Sequence, residues 1–304
     1  MRCSFLALVL IAITAPVLSL PLVAREPEPG YPTFFIPVSK GGNGGNAQTG
    51  NSGNADGGSV SQYAPGWGVI YNGWGSAVGG DGGYTWTGSA FGGDGGKGTG
   101  LGGQGGNGGN AKSGNSGSAS GGDVVQSGGS IVNTAGSAKG GNGGVSFSGN
   151  AYGGSGGKGG SFFARSPAPE PGYFAYPIFF PTAKGGNGGN AQTGDSGNAD
   201  GGSVSQHASP YGGYISNSWG SATGGDGGFT WTGSAVGGDG GKATGFGGQG
   251  GNGGNAKSGN SGSASGGDVT QSGGSIINGL GSAKGGDGGF SHSGNAYGGD
   301  GGKA

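Results

Sequence analysis

Cysteine, methionine, histidine and glutamate are almost missing from this sequence, and so are long apolar segments beyond its N-terminus. The 304 residues include one cysteine, Cys3, one methionine and two histidines, and charged residues make up only 9% of the chain. A single cysteine excludes an intramolecular disulfide framework of the kind that stabilises many small secreted domains.

The groups that enzymes use for acid–base chemistry are equally scarce. The three glutamates all lie in proline-rich segments, and His207 and His292 are replaced by Tyr63 and Phe147 at the matching positions of the first half. We therefore expect no catalytic residues, no cofactor and no histidine metal site. Of the 14 acidic residues the remaining eleven are aspartates, which leave Ca²⁺ binding as an open alternative.

Positive charge is not concentrated anywhere along the chain. Thirteen Lys and Arg residues stand against 14 Asp and Glu residues, and most lysines are single residues between glycines. Because nucleic-acid binding depends on a basic stripe that releases counterions, no nucleic-acid partner is expected.

Glycine is what the sequence has in abundance, with 93 of 304 residues. Glycine loses more backbone entropy on folding than any other residue, and few large apolar side chains are present to oppose that loss. An ordinary hydrophobic core is therefore excluded. Any ordered state has to depend on backbone hydrogen bonds and on the stacking of neighbouring repeats.

The glycines belong to repeats at two levels. Two glycine-rich halves, 40–160 and 184–304, match each other with a shift of 144 to 145 residues. Within the first half, GGNGGNAQTGNSGNADGGSVSQ at Gly41 returns 64 residues later as GGNGGNAKSGNSGSASGGDVVQ. The chain thus consists of four quarters of about sixty residues, numbered 1 to 4. Their GGNGGN segments begin at Gly41, Gly105, Gly185 and Gly250.

Two local periods predict the fold. In GGNGGN and GGDGGK the residue other than glycine returns every third position, which suits a polyproline-II-like helix. In YTWTGSAF (84–91) and VSFSGNAY (145–152) apolar and small polar residues alternate, which indicates strands. We predict an all-β repetitive fold, either solenoid-like or a polyglycine-II/β array; the alternative is a largely disordered low-complexity chain.

Targeting and linker segments surround the repeats. Residues 1–19 have the basic start, apolar run and small residues of a secretory signal peptide, whose removal leaves no segment expected to enter a membrane. A Pro-rich leader, 20–39, resembles a Pro/aromatic linker, 161–183, and each contains an Ala-Arg pair that suggests either cleavage after Arg25 and Arg165 or a simple spacer.

Aromatic residues provide the candidate binding face. Segments 63–74 and 207–219 differ most between the halves, and loops of repeat proteins often carry binding residues. A stacking face for wall polysaccharide is one interpretation, and recruitment of these rings to the core is the favoured one. The residues concerned are Trp67, Tyr71, Trp74, Trp86, Tyr211, Tyr214, Trp219 and Trp231.

The segments GGNGGN, GGDGG and GLGGQGG resemble the secreted glycine-rich proteins of cell walls and extracellular matrices. The GGxGG spacing is also similar to glycine-rich repeat domains of mycobacterial surface proteins, and the signal peptide with its Pro-rich leader is similar to secreted fungal proteins. The resemblance implies a secreted structural or surface protein without catalysis, whose partners are wall polysaccharide or other copies of itself. A carbohydrate-binding scaffold, an ice-binding scaffold and a secreted effector are the alternatives.

Overall fold

A computed structural model of the chain describes residues 39–99, 102–160, 182–245 and 247–304. These residues belong to one unit, Pro37–Ala304. The predicted signal peptide, both Ala-Arg pairs, the leader up to residue 38 and the linker from 161 to 181 lie outside the described residues.

The described residues form 18 short strands and no helix, and so contain no helix long and apolar enough to cross a bilayer. The all-β prediction is confirmed. The strands are β1 (Ala47–Gln48), β2 (Val60–Asn72), β3 (Tyr84–Trp86), β4 (Ala90–Phe91), β5 (Ala111–Lys112), β6 (Val124–Asn133), β7 (Val145–Phe147), β8 (Ala151–Tyr152), β9 (Ala191–Gln192), β10 (Val204–Ala208), β11 (Tyr214–Asn217), β12 (Phe229–Trp231), β13 (Ala235–Val236), β14 (Ala256–Lys257), β15 (Val269–Ser272), β16 (Ser275–Asn278), β17 (Phe290–His292) and β18 (Ala296–Tyr297).

All strand pairs are parallel, and they join matching residues of successive quarters. Three four-stranded sheets have the orders β1-β5-β9-β14, β17-β12-β7-β3 and β18-β13-β8-β4. A six-stranded sheet contains β2, β6, β10, β11, β15 and β16, in which β6 pairs with both β10 and β11. Matching alanines pair from quarter to quarter: Ala47 with Ala111, Ala111 with Ala191, and Ala191 with Ala256.

The glycine segments between the strands are extended and bonded in two layers. In the first layer, the N–H groups of Gly41, Gly44 and Ala47 donate to carbonyls of the next quarter at 2.8–2.9 Å. A second segment of the same quarter runs back against the first, since Gly93 N–H donates to Gly45 O at 2.9 Å and Gly96 N–H to Gly42 O at 2.7 Å. The donors recur every third residue, as the threefold glycine pattern predicts.

The space between the layers is filled by small side chains. Buried Ala, Val and Ile residues form three clusters, around Ala151, Ile131 and Val204. Buried hydroxyls bond glycine carbonyls across the gap: Thr85 Oγ1 donates to Gly117 O at 2.7 Å, and Ser113 Oγ to Gly149 O at 2.7 Å. Polar groups can be buried here because they are paired.

A ladder of buried side-chain amides runs through the six-stranded sheet. Asn133 is fully buried; its Nδ2 donates to Gln126 Oε1 at 2.8 Å and to Asn217 Oδ1 at 3.0 Å. Its Oδ1 accepts from Asn72 Nδ2 at 2.8 Å and from Gln126 Nε2 at 3.1 Å. The ladder joins all four quarters, because Gln271 and Asn278 continue it beyond Gln206 and Asn217.

The prediction that the aromatic rings form the core is wrong. The buried residues of the described chain are small aliphatic and polar ones, and the large aromatic side chains are exposed or half-buried. Backbones that approach closely at glycine leave a gap between the layers which a hydroxyl or methyl group fills and a ring does not.

Candidate functional site: an exposed aromatic face

Three rows of mostly aromatic side chains cross two of the four-stranded sheets, one residue from each quarter per row. We call this surface the aromatic face. Its rows are Tyr84, Val145, Phe229 and Phe290; Trp86, Phe147, Trp231 and His292; and Phe91, Tyr152, Val236 and Tyr297.

The central row is a continuous series of ring contacts. The ring centroids of Trp86 and Phe147 are 5.6 Å apart, those of Phe147 and Trp231 are 6.0 Å apart, and those of Trp231 and His292 are 4.9 Å apart. These are the distances of favourable edge-on and tilted aromatic pairs. The row therefore holds its rings in place through neighbouring quarters.

The outer rows are ordered in the same way. Phe91 and Tyr152 stack with centroids 4.9 Å apart and planes only 8° apart, and Phe229 and Phe290 lie at 6.4 Å. Between the outer row of Phe229 and the central row of Trp231 lies an open depression of about 460 Å³ with an apolar lining. The face is thus shallow rather than a closed pocket.

Strand alternation explains why these rings face outward. In β12, Phe229 and Trp231 are exposed while Thr230 between them is fully buried and donates to Gly262 O at 2.9 Å. Successive side chains of a strand point to opposite sides. The hydroxyl fits the narrow gap between the layers, so the rings take the solvent side.

Aspartates close in sequence to the aromatic face bond to the backbone of the next quarter. Asp81 Oδ1 accepts the Asn142 backbone N–H at 2.7 Å, and Asp94 Oδ1 accepts the Ser155 N–H at 2.7 Å. Among the described residues no three His, Cys, Asp or Glu side chains lie close enough to hold a metal ion.

The eight candidate aromatic residues are all exposed, but the structure does not bring them together. Trp86 and Trp231 lie in the central row of the aromatic face, separated by Phe147. The other six belong to the part of each quarter built on the six-stranded sheet. There Trp67 and Tyr71 lie on β2 and Tyr214 on β11, so the interpretation of these segments as loops is wrong for those three.

Sequence reasoning missed the other members of the aromatic face. The rings that were not among the candidates are those of Tyr84, Phe91, Phe147, Tyr152, Phe229, Phe290, His292 and Tyr297. The signal that finds them is the alignment of the four quarters, which places an aromatic or β-branched residue at the same three positions each time.

The outer asparagines of the first glycine layer are occupied by backbone bonds. Asn43 Oδ1 accepts the Asn107 N–H at 3.0 Å, Asn107 Oδ1 accepts the Asn187 N–H at 2.9 Å, and Asn187 Oδ1 accepts the Asn252 N–H at 3.0 Å. The regular asparagine row thus stabilises the contact between quarters.

Comparisons with known proteins provide no family for this chain. No family model and no curated protein matches it. A solved structure titled as a nine polyproline type II helical bundle, a springtail antifreeze protein from Granisotoma rainieri, is 20% identical over 69% of this chain and 92% of its own. Its TM-score is 0.09, too low to carry an argument about fold or function.

Proposed function

We propose that this chain is a secreted, non-enzymatic surface protein of the cell wall or matrix, which adsorbs to wall polysaccharide through the aromatic face. The observation that carries the proposal is the row from Trp86 to His292, four rings side by side on one sheet, of which three are exposed and Phe147 is half-buried. In our proposal the quarters stack as a solenoid-like polyglycine-II/β array that keeps these rings in one row.

Exposed apolar patches of this extent on soluble proteins usually mark interaction sites. Trp86 is 73% exposed and Tyr84 is 84% exposed, although burying them would be favourable if the fold had room. Flat rings in parallel rows are complementary to the apolar faces of sugar rings along an extended polysaccharide chain. A shallow face suits a polymer surface better than a small molecule, which prefers a concave pocket.

The ice-binding alternative has less support from the structure. It requires exposed ranks of Thr, Ser and Asn on a flat scaffold, but Thr85, Thr87, Thr230 and Thr232 are at most 4% exposed. The asparagine oxygens are engaged by backbone N–H groups, as described above. Polysaccharide binding by the rings is therefore the function that we prefer.

Removing two rings from the central row is expected to weaken adsorption strongly. The double variant Trp86→Ala/Trp231→Ala loses two stacking contacts worth about 0.5–1.5 kcal/mol each, so affinity should fall roughly 5- to 150-fold. The measurement is the binding isotherm of the secreted chain on insoluble cellulose, chitin and β-1,3-glucan.

The matched control is Trp74→Ala/Trp219→Ala, which also removes two tryptophans that are 88% and 74% exposed but lie outside the aromatic face. It should bind like the wild type. Equal losses in both double variants, or a wild-type chain that adsorbs to none of the three polymers, would overturn the proposal.

A further inference from the structure

The stack of quarters ends in two faces, which are the two halves of one repeated interface. Quarter 1 contacts quarter 2, quarter 2 contacts quarter 3, and quarter 3 contacts quarter 4 with the same residues in register. We call the outer side of quarter 1 the first end face and the outer side of quarter 4 the last end face.

The backbone groups of the two end faces are complementary. Inside the stack, Gly188 N–H donates to Asn252 O at 2.8 Å, and Gly44 N–H donates to Asn107 O at 2.8 Å. At the last end face the matching N–H of Gly253 has no acceptor within the described residues. At the first end face the matching carbonyl of Asn43 accepts from no backbone N–H of the described residues.

Bonds in the opposite direction are complementary too. Gly109 N–H donates to Gly93 O at 2.7 Å, and Gly254 N–H donates to Gly238 O at 2.7 Å. The counterparts at the ends are the N–H of Gly45 and the carbonyl of Gly299, and neither has a backbone partner in the described part of the chain.

Glycine is kept at the end faces where the isolated chain has no steric need for it. A Cβ on Gly109 would overlap the carbonyl oxygen of Gly45, but a Cβ on Gly45 would have no atom within 4 Å. Likewise a Cβ on Gly237 would overlap Gly254 O, whereas one on Gly298 would lie 3.7 Å from its nearest neighbour. The same holds at Gly42, Gly50, Gly53 and Gly58 on the first end face and at Gly285, Gly288 and Gly301 on the last.

These glycines carry a cost if the faces stay free. Glycine inside an extended element is less favourable than alanine because of the backbone entropy it loses on folding. A further quarter seated on each face would require every one of them, for the same close backbone approach that exists inside the stack.

The buried amide ladder also stops in a state that a second copy can extend. Among the described residues, Gln206 Oε1 accepts from both Asn217 Nδ2 and Gln271 Nε2, whereas Gln271 Oε1 accepts only from Asn278 Nδ2. At the other end, again within the described part of the chain, Gln62 Nε2 donates only to Asn72 Oδ1. Gln62 of a second copy can therefore donate to Gln271.

Charged columns favour the addition of quarter 1 to quarter 4. The column Gln48, Lys112, Gln192 and Lys257 alternates neutral and charged residues. The column Lys40, Gln104, Lys184 and Gln249 does the same. Quarter 1 of a second copy on quarter 4 continues both alternations, because Gln48 then lies beside Lys257 and Lys40 lies beside Gln249.

We propose that the protein assembles head to tail, with quarter 1 of one copy in parallel register on quarter 4 of the next. The interface is heterologous and does not close on itself, so it generates an open filament. At about 4.8 Å per quarter, each copy lengthens the filament by roughly 19 Å. The aromatic rows then run on from copy to copy.

Single methyl groups on either end face test this assembly. Gly45→Ala blocks the first end face and Gly298→Ala blocks the last, and neither added Cβ overlaps another atom of the isolated chain. The control is Gly73→Ala, whose added Cβ also has no atom within 4 Å. Quarters 2 and 3 carry Thr134 and Ser218 at this position, so a side chain here is compatible with stacking. Sedimentation velocity at increasing concentration and electron microscopy give the size and shape of each species.

Wild type and Gly73→Ala should form rods that lengthen with concentration, while Gly45→Ala and Gly298→Ala alone should sediment as monomers. An equimolar mixture of the two blocked variants retains one intact pair of faces, so it should form dimers and nothing longer. A wild type that stays monomeric, or blocked variants that assemble like the wild type, would overturn the proposal. Adsorption of the monomeric variants to polysaccharide tests the aromatic face separately.

Discussion

Gly109→Ala is expected to prevent stable folding, whereas Gly45→Ala, at the same repeat position, is expected to leave the chain folded. The Gly109 Cβ would overlap the Gly45 carbonyl oxygen, and this backbone cannot turn aside as a flexible side chain could. Overpacking typically costs 1–3 kcal/mol, and we expect more than about 3 kcal/mol here because the overlap is with backbone.

Urea unfolding followed by far-ultraviolet circular dichroism measures the difference. Both variants add one methyl group to a glycine that repeats at the same place in quarters 1 and 2, so composition and unfolded state are matched. If the two chains unfolded at the same urea concentration, the close approach between quarters would be refuted.

Asn133→Leu is the second substitution with a large expected effect. Leucine has the branched shape of asparagine but no polar atom, so it removes two hydrogen bonds to Gln126 and one each to Asn72 and Asn217. A hydrogen bond contributes about 0.5–1.5 kcal/mol net, so the free energy of unfolding should fall by roughly 2–6 kcal/mol.

Asn278→Leu is the matched control, since Asn278 occupies the same position in quarter 4 but is exposed on the last end face. Gln271 can turn to water and the buried Asn217 keeps its bonds to Gln206, so the expected loss is below about 1 kcal/mol. Thermal unfolding of both variants in the Gly45→Ala background, which keeps the chain monomeric, makes the comparison. Similar losses at the two positions would show that the ladder does not stabilise the fold.

The repeat pattern predicted the architecture of the described residues to a considerable extent. Quarters that match at shifts of 64 and 144 to 145 residues in the sequence are the ones whose strands pair. The alternation in 84–91 and 145–152 predicted strands, and β3, β4, β7 and β8 lie there. Identical segments stack in register because each side chain then meets its own counterpart and each backbone group finds the same partner.

The side of each strand that faces inward could not be predicted from the alternation. In YTW both choices satisfy a period of two, and hydrophobicity favours burying Tyr84 and Trp86. The spacing of the layers decides otherwise: it is set by glycine backbones in contact, and only Thr85 fits. That spacing is a property of segments far away in sequence, so a local pattern does not contain it.

The buried amide ladder could not be predicted from the sequence either. Gln62 and Asn72 are ten residues apart, and nothing in their spacing marks them as a pair. They meet because β2 runs alongside β6 on both sides of a bulge, with the register shifted between Ala64 and Val69.

Both polysaccharide binding by the aromatic face and filament assembly depend on the stacking of the quarters. Hydrogen exchange of the glycine amides tests this stacking most directly. In the monomeric Gly45→Ala variant, the amides of Gly108 and Gly188, which donate to the next quarter at 2.8 Å, should exchange slowly. The amide of Gly253 on the last end face should exchange at nearly the unprotected rate. Uniformly fast exchange at all three positions would contradict the stacked array, and with it the aromatic face and the filament.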